Sequence, residues 1–460
     1  MRRANKTFLL AALALAGCAH EPAPQPAAPP VPAAFSQAGV VADAKWAEAF
    51  GDPALLDLIA RARRHSPDLG IARARQREAV ALLRAANAGD EPAVSVGAGL
   101  EASRISLDTG RVPLNAGIPR RTDVAAVGGK ASWELDVWGR EAAKSKAAEA
   151  DSLAARFTAA QADLALSAEV ARLWFAVRGA REQLAFLETE FATRLREMEI
   201  MEKTVGAGLL GSDPLSSARL AAAQAKVDEG LGRRRLAAVE NALRALIGAT
   251  PGDQLPEARG AVAMPAFGAG VPSALLLRRP DLAAAAAHLD AAVAREGAAI
   301  ANFYPSVTLN GQAGWQADPA SRVGRGSAGF WSLTPSVDLP VFDAGRREAD
   351  LEVSRARIDG SAAEWTKAVL GAFREVEDAL ADLRELALQE ELTGRVLAAV
   401  RERLANAEAR RRAGLATENE VTAARRDEAL AARTLSMVVW ERRQVAVRLA
   451  AATGGGWTAK

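Results

Sequence analysis

Landmark segments in this 460-residue chain recur at fixed distances. His65-Ser66-Pro67-Asp68-Leu69 is echoed by Arg278-Arg279-Pro280-Asp281-Leu282, and Pro92-Ala93-Val94-Ser95-Val96 by Pro305-Ser306-Val307-Thr308-Leu309, both at an offset of 213 residues. Gly139-Arg140, Glu169-Val170 and Gly208-Leu209 recur as Gly345-Arg346, Glu375-Val376 and Gly414-Leu415, all at 206. One deletion of 7 residues, between the two strands of the second copy, reconciles every match. The chain is therefore two copies of one unit, over 46–248 and 273–452. A linker rich in Gly, Pro and Ala joins them over 249–272, and 453–460 forms a short tail.

Both copies predict the same layout. A helix of moderate length (53–88 and 273–302) precedes two strands. A very long helix follows (140–205 and 346–412), then a Gly-containing turn and a last helix (213–248 and 417–452). About 65 residues at 1.5 Å each give ~100 Å, too long for a compact globular domain. Helical patterns of that length point to coiled-coil association. Aromatics make up only 5% of the chain, and Ala dominates the apolar helix positions, which favours close helix packing. The expectation is a mainly α fold with a small β part, internally duplicated.

The strands alternate with a period of two. Val127, Gly129, Ala131, Trp133, Leu135 and Val137 share one face, against Gly128, Lys130, Ser132, Glu134 and Asp136. In 329–342, Trp331, Leu333, Pro335, Val337, Leu339 and Val341 oppose Ser332, Thr334, Ser336 and Asp338. The strands around Val94–Leu100 and Val307–Trp315 do the same. Such alternation suits either a soluble sheet with one wet face or a tilted strand crossing a bilayer, apolar side to lipid and polar side to a lumen. In the second reading Trp133, Trp315 and Trp331 form an aromatic belt. Lys130, Glu134, Asp136 and Asp338 then face the lumen. Four strands cannot close a barrel, and open edges are not tolerated in lipid, so several copies must share one.

The N-terminus argues for the membrane. Residues 1–17 combine Arg2, Arg3 and Lys6 with an apolar run from Phe8 to Ala16, the pattern of a secretory signal. Leu15-Ala16-Gly17-Cys18 resembles a bacterial lipobox, which makes Cys18 the expected lipidation site. A Pro/Ala-rich tether over 18–45 reads as an extended spacer. No later stretch approaches 18 uninterrupted apolar residues, so no transmembrane helix is expected.

Composition excludes several functions. Without residues 1–17 the chain carries 55 cations and 56 acids, a formal charge of −1, which gives no reason to expect nucleic-acid binding. Cys18 is the sole cysteine, so an intramolecular disulfide and a multi-Cys metal site are impossible. The histidines are His20, His65 and His288, too few for a His-rich metal centre. No nucleotide loop, nucleophile–base set, metal site or cofactor site is evident, so no catalytic residue is expected.

The lipobox, the HSPDL and RRPDL segments, Trp133-Glu134-Leu135-Asp136-Val137-Trp138-Gly139-Arg140 and Leu339-Pro340-Val341-Phe342-Asp343-Ala344-Gly345-Arg346 together carry a resemblance. In these the chain resembles the outer-membrane efflux protein family, the TolC-like exit ducts, and within it the NodT-type lipoproteins of resistance-nodulation-division pumps. The resemblance implies a homotrimer that pools its strands into a 12-stranded barrel in outer-membrane lipid. A long-helix α-barrel continues it across the periplasm. It implies two partners, a periplasmic adaptor (membrane fusion protein) and an inner-membrane pump, and passive conduction of small molecules outward. It places adaptor docking at the turns, at Gly208, Leu209, Gly414 and Leu415. It puts a pore gate near Glu418, Asn419 and Glu420. Ala416 and Ala423 stand where some members carry Arg and Asp, which leaves the gate's details open. A type I secretion duct shares this architecture, and a lipid-anchored periplasmic coiled-coil scaffold would account for the helices alone.

Overall fold

A computed structural model describes residues 21–104, 121–257, 260–455 and 457, apart from 25, 26, 28, 38, 40 and 44. The signal segment and Cys18 lie outside the described residues. Each copy has one order of elements. The first runs α1 (Pro53–His65), α2 (Pro67–Asn87), β1 (Ala93–Arg104), β2 (Arg121–Leu135), α3 (Arg140–Gly206) and α4 (Ser212–Leu246). The second runs α5 (Pro272–Arg278), α6 (Pro280–Ala301), β3 (Ser306–Ala317), β4 (Gly329–Asp338), α7 (Arg346–Arg412) and α8 (Glu418–Ala452). Helices α3 and α7 each have 67 residues. Among the described residues, no helix is long and apolar enough to cross a membrane.

Several boundaries differ from expectation. The helix expected over 53–88 is two helices, broken at Ser66, and that over 273–302 is broken at Arg279. Both residues precede a proline and adopt extended backbone, with ψ of 124° and 120°. The proline ring excludes the helical conformation from the residue before it. Strand β2 stops at Leu135 and β4 at Asp338, short of the expected 138 and 342. Pro340 cannot donate to a ladder, so Leu339 to Phe342 leave the strand.

The chain falls into two compact units. One holds the described part of Met1–Ala27 with Arg77–Ala154 and Ala286–Glu364, and so contains the whole sheet. The other holds Ala28–Gln76, Ala155–Ala285 and Trp365–Lys460. Its first apolar cluster gathers Phe50, Leu55 and Leu58 with Val170, Trp174 and Phe175 of α3 and Leu243 of α4. A second gathers Val369, Phe373, Val376 and Leu380 of α7 with Leu282 and Leu449. Val170 and Val376, equivalent at the 206-residue offset, are both fully buried. Helix α3 meets α8 at Gly179, where an added Cβ would come within 3.1 Å of the Trp440 ring.

The segment expected as an extended spacer and the short tail both pack on the helices. Of the tether, Phe35 is buried edge-on against Phe373, ring centroids 6.1 Å apart. Ala42 joins the first cluster. Of the tail, Thr453 is buried and Trp457 meets Phe157 edge-on at 5.4 Å. Large apolar side chains drive both associations, since fully burying one stabilises by about 1.5–3 kcal/mol.

A charge lies inside the first cluster. Asp52 is 3% exposed and caps α1, accepting from the backbone N–H of Ala54 (3.0 Å) and Leu55 (3.4 Å). Its other oxygen accepts from Trp174 Nε1 and Arg178 Nη1, both at 2.8 Å. Arg178 Nη2 also donates to Gly260 O at 2.6 Å. Asp52→Ala would leave the Arg178 guanidinium buried without its carboxylate. Removing one partner of a buried pair costs about 3–5 kcal/mol. The variant is expected to lose helical ellipticity at a clearly lower temperature than the parent, and an unchanged melting profile would refute this role for Asp52.

Candidate functional site: an amphipathic sheet and two helical turns

The strands form one antiparallel sheet in the order β1-β2-β3-β4. Through the middle of the sheet its register keeps like with like from strand to strand. Val94 pairs with Ala131, Ala131 with Gly311, and Gly311 with Leu333. Val96, Gly129, Ala313 and Trp331 form the next apolar row. On the opposite face, Ser95, Lys130, Gln312 and Ser332 make one row, and Glu134, Thr308 and Ser336 another. Hydroxyls and amides cross-link that face. Ser132 Oγ donates to Asn310 Oδ1 at 2.8 Å, and the hydroxyls of Thr308 and Ser336 lie 2.6 Å apart.

The apolar face has little cover within the chain. Val96 is 81% exposed, Trp331 80% and Leu333 61%. Trp133 pairs with Leu309 near one end of the sheet, and Trp315 lies six residues further along β3. At ~3.4 Å per residue the tryptophan levels stand about 20 Å apart along the strand, close to the height of an outer-membrane apolar band. Trp133 Nε1 donates to Asp90 O at 2.9 Å, while Trp315 and Trp331 mark the other end. Among the described residues, strands β1 and β4 each have one neighbour, so two ladder edges are open.

At the helical end of the sheet the acids are engaged. Glu134 sits on the polar face and pairs with Arg140 at the start of α3. Asp136 was expected on the strand, but it lies past the end of β2 and its carboxylate accepts from Ala142 N at 2.8 Å. It is thus a cap of α3, in which a carboxylate satisfies one of the free N–H groups of a first turn. Asp343 does the same for α7, accepting from Arg347 N at 3.3 Å and Arg347 Nε at 2.6 Å. The Arg347 guanidinium bonded to it holds the Asp343 carboxyl below the usual aspartate range, against the opposing effect of desolvation. This contact is present at neutral pH and is lost only as pH falls through that depressed value. Asp338 ends β4 opposite Ser306 on the polar face.

Both turns between long helices have one geometry. Gly208 has φ of 71° and Gly414 φ of 73°, a left-handed conformation that glycine adopts without steric cost. Leu209 N donates to Thr204 O and Gly208 N to Val205 O, while Leu415 N donates to Arg410 O and Gly414 N to Arg411 O. This is the Schellman closure of a helix C-terminus. It turns Leu209 and Leu415 outward, 74% and 69% exposed. Gly211 is the N-cap of helix α4, and Asp213 lies within its first turn.

The second turn leads into a capping box. Thr417 Oγ1 accepts from Glu420 N at 3.3 Å, and Glu420 Oε1 accepts from Thr417 N at 3.2 Å. Glu418 pairs with Arg411 at 3.3 Å. Glu420 is therefore held by its own helix start, with Asn419 exposed between the two acids. The structure thus gathers Gly414, Leu415, Glu418, Asn419 and Glu420 in one turn, and Gly208 and Leu209 in the other. Lys130, Glu134 and Asp338 share the polar face of the sheet. Sequence reasoning missed the Glu134–Arg140 pair, although Arg140 had been noted as a repeat landmark. Thr417 is legible as an N-cap, and the reciprocal contact of Glu420, three residues on, was what sequence reasoning missed. Among the described residues, no cluster of His, Cys, Asp and Glu could hold a metal ion.

The family model described as outer membrane efflux protein matches residues 58–249 and 271–455, one segment per copy. The chain is 30% identical to the cation efflux system protein CusC of Escherichia coli O6:H1, over 97% of both chains. It is 31% identical to the probable efflux pump outer membrane protein SepC of Pseudomonas putida, over 80% of this chain and 79% of that one. The open-state MtrE outer membrane channel of Neisseria gonorrhoeae superposes with a TM-score of 0.81, at 26% identity, over 95% of this chain and 98% of that one.

The capping box gives a local expectation. Replacing an N-cap Thr by Ala costs about 1 kcal/mol. In Thr417→Ala the amides of 418–421 should exchange with solvent roughly fivefold faster than in the parent, with little change beyond the first turn of α8. Equal exchange would mean that the box does not hold this turn.

Proposed function

This chain belongs to the outer membrane efflux protein family, and on that premise we propose that three copies join edge to edge, β4 of one against β1 of the next, into a 12-stranded barrel. The protein is an outer-membrane channel of a tripartite efflux pump, extending into the periplasm, and a transport component rather than an enzyme. Support for the trimer comes from the sheet. Its register keeps one face apolar and exposed while, among the described residues, both edges lack partners, an arrangement that lipid tolerates only in a closed barrel. In the closed barrel Lys130, Glu134 and Asp338 line the lumen, and Trp133, Trp315 and Trp331 form the belts. Asp136 caps α3 at the inner rim.

The remaining assignments follow the helices. The exposed Leu209 and Leu415, set on their glycine turns, are the apolar contacts offered to a periplasmic adaptor, which links the channel to an inner-membrane resistance-nodulation-division pump. Glu418, Asn419 and Glu420 repeat three times around a threefold axis and place carboxylates at the periplasmic opening, where they favour cations. Cys18 is the acylated anchor. The conducted solutes are small molecules.

Arginine substitution separates the two faces. Leu333→Arg puts a charge on the lipid side, at a cost of about 2–4 kcal/mol near the bilayer midplane, and is expected to reduce membrane-inserted trimer sharply. Ser332→Arg, one residue away, should insert normally and shift the open channel towards anions. Equal tolerance of both would refute the lipid-facing assignment.

The channel reading is tested by single-channel recording of detergent-purified protein in planar bilayers. Discrete conductance steps are expected. Their absence under conditions that open the turns would count for a lipid-anchored scaffold. Glu420→Gln retains the capping contact and removes the charge, so it should conduct with weaker preference for cations. Unchanged selectivity would remove Glu420 from the gate.

A further inference from the structure

Glu296 of α6 is 1% exposed, and its carboxylate receives the N-terminal segment. Ala23 N donates to both of its oxygens, at 3.0 Å each. Arg355 of α7 completes the arrangement, with Nε 3.0 Å from Glu296 Oε1 and Nη2 donating to Glu21 O at 2.7 Å. The two side chains thus read the backbone of Glu21-Pro22-Ala23. In extended chain, the C=O of one residue and the N–H of the second residue after it point to the same side. Pro22, between them, has no N–H to leave unsatisfied on the other side. The match is to an extended peptide with proline in the middle, whatever its other side chains.

We propose that Glu296 and Arg355 form a docking site for the chain's own N-terminal segment, which fixes the lipid-bearing end to the unit that contains the sheet. Ala23 lies five positions after Cys18. At ~3.6 Å per residue the acylated end then lies within about 18 Å of the docked Ala23, so it is held at one level and not on a slack tether.

The duplication supplies an independent argument. The 213-residue offset places Leu83 at the position of Glu296, and the 206-residue offset places Glu149 at that of Arg355. The first copy therefore has neither group. In the other unit the same segment meets two more residues of the second copy. Ser36 N donates to Glu377 Oε1 at 2.9 Å, and Phe35 packs on Phe373. Their first-copy equivalents are Ala171 and Ser167. The chain has one N-terminal segment, and among the described residues the groups that bind its 21–23 and 35–36 stretches belong to the second copy.

The proposal rests on acylation of Cys18 for its lipid part, and the test separates the two. The full chain is purified from membranes as Ala27→Cys, labelled with a thiol nitroxide and studied by electron paramagnetic resonance. One label per chain by mass shows that the Cys18 thiol is blocked. Two labels would sink the acylation reading and leave the docking test intact with Cys18→Ser added. The parent spectrum should be immobilised. Glu296→Leu, which installs the first-copy residue, and Arg355→Ala should raise the ratio of mobile to docked label by on the order of tenfold. Should Glu296→Leu fail to assemble, Glu296→Gln, which keeps an acceptor for Ala23 N and loses the ion pair, should give an intermediate spectrum. A label equally mobile in the parent and these variants, or equally immobile in all of them, would overturn the proposal.

Discussion

Strand register is the constraint on which the rest depends. Because side chains alternate, a slip of one residue in any pairing would move a whole strand's apolar set to the polar face. The ladders place Ala131 against both Val94 and Gly311, and Lys130 against both Ser95 and Gln312, so no slip occurs at either junction. Side-chain bonds reinforce this on the polar face, where Ser132 reaches Asn310 and Thr308 reaches Ser336. On the apolar face no bonds of that kind are possible, and the register is carried by exclusion from water. The consequence is a sheet whose exposed face suits hydrocarbon and whose edges, in the proposed barrel, pair with further copies. Membrane insertion and assembly are thus one requirement viewed from two sides.

Much of this was legible in the sequence, because period-two alternation and constant offsets are properties of residue order alone. The long helices and the glycine turns were readable for the same reason. Part of what escaped depended on partners distant in sequence. Nothing in a Pro/Ala-rich stretch indicates that Ala23 will meet Glu296 across 273 positions. The tail offered Trp457 and no sign of Phe157. Asp136 continued the alternation and was read as a lumen residue, but a free N–H in the first turn of α3 competes for its carboxylate and wins. The breaks at Ser66 and Arg279 were available in the sequence, since each stands before a proline.

The duplication also separates what the fold needs from what each copy has acquired. Apolar landmarks are shared: Val170 and Val376 are both fully buried. Charged ones are shared only in part: Glu169 recurs as Glu375 and Asp68 as Asp281, but other buried polar positions differ. Position 66 holds a Ser whose buried hydroxyl has no partner among the described residues, while its equivalent, Arg279, is 6% exposed and makes ion pairs with Asp281 and Glu375 at 2.7 Å each. Burial disfavours the Arg279 guanidinium, yet the hydrogen bonds and charges of Asp281 and Glu375 outweigh it and leave the group more firmly protonated than usual. The first copy places its buried ion pair elsewhere, between Asp52 and Arg178.

That divergence follows from the unequal cost of the two kinds of change. A buried apolar residue contacts neighbours on every side, so replacing it disturbs a packed core in either copy. A buried charge needs one matched partner and is tolerated wherever that partner exists. After duplication, the two copies were therefore free to place ion pairs differently while keeping one apolar framework. The pairing of Glu296 with Arg355 is such a placement, and it lies where a single N-terminal segment has to be held. An anchor shared by two copies of a unit can be gripped by only one of them, and asymmetric buried charge is the means this chain has for making that choice.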